Sequence, residues 1–199
     1  MRSLPHRGAH PGGAHHGHPD PLRHRRRVPL PRRAQGALTM SPFPTRKLVS
    51  WRSLSALRRA WSRRRKRVVF TNGVFDILHA GHVEFLERAR NLGDALVVGI
   101  NTDASARRLE KGPGRPFNRL KDRARVLGAL ACVDVIAPFS HDTPETLVRL
   151  LRPDILVKGA DYRSHEVAGR QHAGKTVLIS LKKGYSTTSL AARIRRGAP

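Results

Sequence analysis

Cysteine is nearly absent from this chain. Cys132 is the single thiol in 199 residues, so no disulfide can close within the chain. Its place in the apolar run 129–136 predicts a buried thiol. Long hydrophobic runs are missing too: the longest, such as residues 95–100, fall far short of the roughly 20 residues that span a bilayer. Residues 1–40 hold no continuous apolar stretch to form the middle of an export signal, which leaves a cytoplasmic location as the expectation. Aromatic residues make up only 5% of the chain, and none interleaves with the Arg63 to Arg67 cations, so that run reads as a solvated helix end and not as a base-stacking surface.

Acid is scarce as well. Fourteen Asp and Glu stand against 39 Lys and Arg, for a formal charge of +25. The excess is uneven: residues 1–67 hold 18 of the cations and one acid, Asp20, while residues 68–199 hold 21 cations and 13 acids. A basic nucleic-acid-binding protein, whose charge would be its function, is therefore the disfavoured reading. The first third also carries 8 of the 14 prolines and 6 of the 11 histidines. Such a composition buries too little to offset the entropy of ordering, so residues 1–46 are expected to form a disordered Arg/His/Pro-rich extension. Met40 offers an alternative start.

What remains has the size of one domain. Leu54, Leu57 and Trp61 fall on one face of a helix whose other face is arginine-rich, predicting a docking helix and linker over 47–67. Over 68–199, apolar runs of strand length at 68–71, 95–100, 133–137, 154–157 and 176–179 alternate with helical patterns. One helix carries Phe85, Leu86 and Ala89, and a second Leu120, Ala124, Leu127 and Leu130. A third is capped by Thr143 with Pro144 at its first position and runs to Leu151; a last one spans 186–196. The pattern predicts an α/β fold: a Rossmann-like, doubly wound parallel sheet of about five strands in a single domain. Ligands bind such sheets at the carboxyl ends of the strands.

The first strand runs into Thr71-Asn72-Gly73-Val74-Phe75-Asp76-Ile77-Leu78-His79-Ala80-Gly81-His82 and then directly into a helix. Here an H-x-G-H tetrad sits at a helix N-terminus, where free amides and a partial positive charge favour phosphate, and Gly81 is expected to let a phosphate approach the backbone. The tetrad alone is weak evidence, since His15-His16-Gly17-His18 repeats it in the extension with no strand before it. Context gives it meaning.

That context resembles the cytidylyltransferase-like branch of the HxGH nucleotidyltransferases. Within the branch, residues 71–92, the following Gly93-Asp94 and residues 97–105 look like the D-glycero-β-D-manno-heptose 1-phosphate adenylyltransferases. So do Lys111-Gly112-Pro113-Gly114-Arg115-Pro116, Asp122-Arg123-Ala124, Asp142-Thr143-Pro144-Glu145, Lys158-Gly159-Ala160-Asp161-Tyr162, Glu166-Val167 and Ser186-Thr187-Thr188. The likeness covers about residues 47–196. Val74 and Ala160 stand where relatives often have Cys and Gly.

The resemblance implies transfer of the AMP moiety of ATP to a sugar 1-phosphate by direct in-line attack, with release of pyrophosphate. It implies that His79 and His82 donate hydrogen bonds to the phosphates and that Lys111 neutralises charge at the α-phosphate. Thr71, Asn72, Phe75, Gly159, Asp161, Ser186, Thr187 and Thr188 join the two histidines in holding the nucleotide. Asp76, Asn101, Asp103 and Arg115 face the sugar phosphate, or in the case of the acids and Asn101 a neighbouring basic residue. Mg²⁺ is expected as the ion carried with ATP, with no dedicated metal site. Expected partners are the two substrates and a separate heptose kinase, with no membrane; a homodimer is compatible with the sequence. Taken singly, Lys111 is a solvated loop charge, Ser186-Thr187-Thr188 a helix cap and Asp161 a turn residue. The same-class rival is a cytidylyltransferase acting on glycerol 3-phosphate or a similar phosphorylated alcohol.

Overall fold

A computed structural model describes residues 46–197 except 111, 113, 162 and 183. The expected extension therefore lies, but for Arg46, outside the described residues, as does Lys111.

The chain order is α1 (Trp51–Arg63), β1 (Val68–Gly73), α2 (Ala80–Arg90), β2 (Ala95–Asn101), α3 (Asp103–Arg108), α4 (Leu120–Ala129), β3 (Val135–Phe139), α5 (Glu145–Leu151), β4 (Ile155–Gly159), β5 (Lys175–Ile179) and α6 (Thr187–Arg195). The five strands form one sheet in the order β3-β2-β1-β4-β5, all parallel. Successive side chains leave a strand on opposite faces, and the core divides accordingly. Val69, Leu96, Val98, Ile136 and Ile155 meet Leu86 and Ala89 of α2 and Ala124 and Leu127 of α4. On the other face Val68, Phe70, Val97 and Leu156 meet Leu54 of α1 and Leu147, Val148 and Leu151 of α5. Helices on both faces make this the doubly wound α/β sheet that the alternation of runs predicts.

Three aspartates pin the strand starts. Asp94, Asp134 and Asp154 each stand one residue ahead of a strand, and each carboxylate accepts a backbone N–H in or just ahead of the neighbouring strand: Arg67, Leu96 and Val68, all at 2.7 Å. Their own amides return bonds to the carbonyls of the same three residues. The pairs fix register at the end of the sheet away from the cavity, so the opposite strand ends are free to carry function.

Several expectations shift. β3 begins two residues later than the 133–137 run suggests and continues through Pro138. Proline tolerates this place because β3 is an outer strand and needs no second ladder bond there. Leu48 bridges to Ile136 in parallel, with Val49 donating to the Ile136 carbonyl at 2.9 Å, so the segment ahead of α1 covers part of that edge. α5 starts at Glu145 with Pro144 in the cap position and no side-chain cap, so Thr143 does not cap it. The six-residue α3 is too short for periodicity to show, although Thr102 caps it by accepting from the Ser105 amide at 3.3 Å. Cys132 is half-buried, not buried; partial desolvation and then nearby Glu87 push its thiol above the ordinary range.

Candidate active site

β1 delivers Thr71, Asn72 and Gly73 to the carboxyl edge of the sheet, and residues 74–79 turn the chain into α2. The turn is strained. Phe75 has a φ of 49°, the left-handed region that bulky side chains rarely enter, and its ring lies buried 5.3 Å from that of His82. His79 occupies the cap of α2, where its Nδ1 accepts the His82 amide proton at 3.3 Å. An imidazole that accepts at Nδ1 carries its proton at Nε2, so the free edge of the neutral His79 ring is a donor. The two rings stack with centroids 3.9 Å apart and planes 19° apart. Burial lowers the His79 pKa below its ordinary 6.5, against a smaller opposing effect of its own backbone hydrogen bond.

Both histidines face a cavity of about 600 Å³ at the strand ends. Its centre is lined by Thr71, Asn72, Phe75 and Asp76 from β1 and the turn after it. Gly159 and Asp161 approach from the end of β4, and Ser186, Thr187 and Thr188 from the start of α6; Asn101 and Arg115 close the side beside β2. The structure thus brings together residues that lie more than a hundred positions apart. Thr71 Oγ1 and Asn72 Oδ1 are buried here without a hydrogen-bond partner among the described residues. Each such group costs about 1–3 kcal/mol unless a ligand satisfies it.

The local roles are more specific than the sequence shows. Ser186 caps α6, its Oγ accepting from the Ser189 amide at 3.0 Å, and Thr187 Oγ1 donates to the Ile77 carbonyl at 3.4 Å. The amides of Thr187 and Thr188 open the helix and have no acceptor within it. Gly81 also serves packing: a Cβ there would stand 2.8 Å from Tyr185 Cβ and 3.1 Å from His79 Nδ1. Asp76 faces the cavity but gives its carboxylate to the loop ahead of α4, accepting from the Phe117 and Asn118 amides at 3.0 and 2.9 Å and from Arg115 at 3.4 Å. Arg115 also lies over the Phe117 ring at 4.8 Å. Asn101 donates to Ser105 Oγ at 2.8 Å within the buried floor. Asp103 is outside the lining; it accepts from Arg123 at 2.7 Å and from the Leu120 amide at 2.8 Å, the neighbouring-cation alternative of the sequence reading.

Tyr185 and Lys182 also line the cavity and carry no assignment from sequence. Tyr185 brings its ring 6.1 Å from that of His79, and Lys182 stands 5.4 Å over the Tyr185 ring while pairing with Glu84 at 3.1 Å. That pairing raises the Lys182 pKa. Their place just ahead of the Ser-Thr-Thr motif was the available signal. Among the described residues no three His, Cys, Asp or Glu side chains converge to hold a metal ion.

Comparison with known proteins agrees with this geometry. The family profile described as cytidylyltransferase-like matches residues 70–191. The bifunctional protein HldE of Magnetococcus marinus is 51% identical over 152 residues, 74% of this chain and 31% of that protein. Its namesake from Azorhizobium caulinodans is 49% identical over 156 residues, 76% of this chain and 32% of that protein. The chain thus spans about a third of the length of these relatives. Among solved structures, a lipopolysaccharide core biosynthesis protein from Thermoplasma volcanium superposes with a TM-score of 0.52 at 29% identity, covering 59% of this chain and 99% of the other. The match extends from β1 into α6 and so includes both the β1–α2 turn and the start of α6: the chain belongs to the cytidylyltransferase-like family.

Proposed function

We propose that the chain transfers the AMP moiety of ATP to D-glycero-β-D-manno-heptose 1-phosphate, giving ADP-heptose and pyrophosphate. The observation that carries the reading is the pair of stacked imidazoles at the start of α2, facing a cavity roomy enough for a nucleotide and a sugar phosphate. The choice of acceptor rests on the sequence likeness from Thr71 to Thr188. It is supported by the description of the Thermoplasma volcanium neighbour as a lipopolysaccharide core biosynthesis protein.

In this reading a phosphate oxygen of the sugar attacks the α-phosphorus in line, the bond to the bridging oxygen breaks, and pyrophosphate leaves with its electron pair. The protein has to position two anions and meet charge that grows on the α-phosphate and the leaving group. His79 Nε2–H and the His82 ring donate along the phosphate chain, and the opening amides of α6 hold its far end. Lys111 supplies a counter-charge. Thr71 and Asn72 spend their buried polar atoms on the nucleotide, alongside Gly159 and Asp161. Asn101 and Arg115 border the acceptor, and a sugar-phosphorylating kinase supplies it. ATP enters as its Mg²⁺ complex, with the ion carried on the substrate's phosphates. The Asp76 carboxylate, already shared among two amides and Arg115, is committed to the protein.

Pyrophosphate release from each of the four nucleoside triphosphates, with and without the heptose 1-phosphate, tests this. We expect turnover with ATP and the heptose together. Comparable turnover with CTP and glycerol 3-phosphate, and none with the heptose, overturns the choice of substrates.

A further inference from the structure

Arg123 is the largest fully buried side chain among the described residues, and its side chain is wholly shielded from solvent. A cation taken out of water in this way is tolerated only when its charge is paired and its donors are satisfied. Here Nε donates to the Asn118 carbonyl at 3.0 Å, one terminal nitrogen to the Val74 carbonyl at 2.6 Å, and the other to the Asn101 carbonyl at 2.8 Å and to Asp103 Oδ1 at 2.7 Å. The three carbonyls belong to three separate segments: the turn after β1, the last residue of β2, and the loop ahead of α4. No apolar side chain could fill this place without leaving three backbone acceptors unpaired, and no single ammonium could reach all of them.

The fork does not touch the cavity, but what it grips does. Val74 and Asn101 both line it. The Val74 carbonyl belongs to the peptide unit that leads into Phe75, the left-handed residue whose ring packs on His82. At its other end, Asn118 is tied through its amide and its side chain to Asp76. Asp103, the counter-ion, also holds the Leu120 amide at the start of α4, where Arg119 provides no side-chain cap.

We propose that Arg123 is a positioning residue for nucleotidyl transfer: by clamping the turn after β1 to β2 and to the loop ahead of α4, it holds the Phe75–His82 arrangement in register with the phosphates. The role concerns transfer at this cavity and is independent of which sugar phosphate accepts.

The test compares wild type with Arg123→Lys and with the charge-neutral pair Arg123→Gln/Asp103→Asn, which removes any buried unpaired charge. Turnover is measured with the triphosphate and acceptor that give the highest wild-type rate. ATP binding by calorimetry and amide exchange are followed in parallel, and need no acceptor. In both variants we expect turnover to fall about 10²-fold, the scale of a misplaced reacting geometry, with the ATP dissociation constant changed less than about threefold. The amides of Phe117, Asn118 and Leu120 should exchange at least about tenfold faster, while the central β2 ladder keeps its protection. Wild-type turnover in either folded variant overturns the proposal. So does an acceleration of exchange spread evenly over β1 and β2, the mark of general destabilisation.

Discussion

Burial favours the uncharged ring of His79, and its Nδ1 is already occupied by the His82 amide. The neutral tautomer with hydrogen on Nε2 can donate to a phosphate oxygen without first gaining a proton. The same burial has a thermodynamic consequence. Because the folded pKa lies below 6.5, the unfolded chain binds more protons in the interval between the two values, so this contribution to stability is complete above 6.5 and is lost as pH falls toward the lowered value. Melting temperatures of wild type and His79→Gln between about pH 5 and pH 7.5 should therefore shift in the variant's favour on acidification. A wild type that gains on the variant as pH falls would contradict the assignment. The tetrad itself is legible in sequence because all its parts are local, from Thr71 to His82. The ring stack and the tautomer are not legible, since they depend on how the turn at Phe75 folds back.

Whole elements were legible to different degrees. Strand starts are fixed where an aspartate precedes an apolar run, a role the apolar runs alone do not show, and Asp154 ahead of β4 illustrates it: its carboxylate takes the Val68 amide and pairs with Arg58 at 3.4 Å. Asp134 does the same for Leu96 and pairs with Arg90 at 2.8 Å. Asp134→Ala is expected to cost about 1–3 kcal/mol, the price of leaving a shielded strand amide without its acceptor. Urea unfolding measures it, and a loss below about 0.5 kcal/mol would mean that the carboxylate does not hold the register. The third strand starts two residues inside the apolar run 133–137 and ends two residues past it, because Asp134 is spent on the Leu96 amide and an outer strand tolerates Pro138. The α3 helix and the Arg123 fork escaped for a common reason. Six residues show no period, and contacts joining positions 74, 101, 103, 118 and 123 exist only once the sheet has formed.

Among the described residues, the cavity and a basic cluster sit at opposite ends of the sheet. The cavity opens at the carboxyl ends of β1 and β4, whereas Arg58, Arg65, Lys66 and Arg67 gather around Asp154 at their amino ends, about 20 Å away for a six-residue strand. That basic cluster lies beyond reach of phosphates bound in the cavity. Among the described residues no helix is long and apolar enough to cross a membrane. In the proposed function a strand, a strained turn and a helix start make catalytic groups of two histidines that would otherwise be ordinary, and this chain contains its own control. Steady-state pyrophosphate release should fall by roughly 10²–10³ in His79→Ala and in His82→Ala, the scale seen when one preorganised donor is lost. It should stay at the wild-type level when His15 and His18 of the other H-x-G-H tetrad are both replaced by Ala. Turnover that follows the His15 and His18 pair, or survives loss of His79 and His82, would overturn the catalytic role of the α2 histidines.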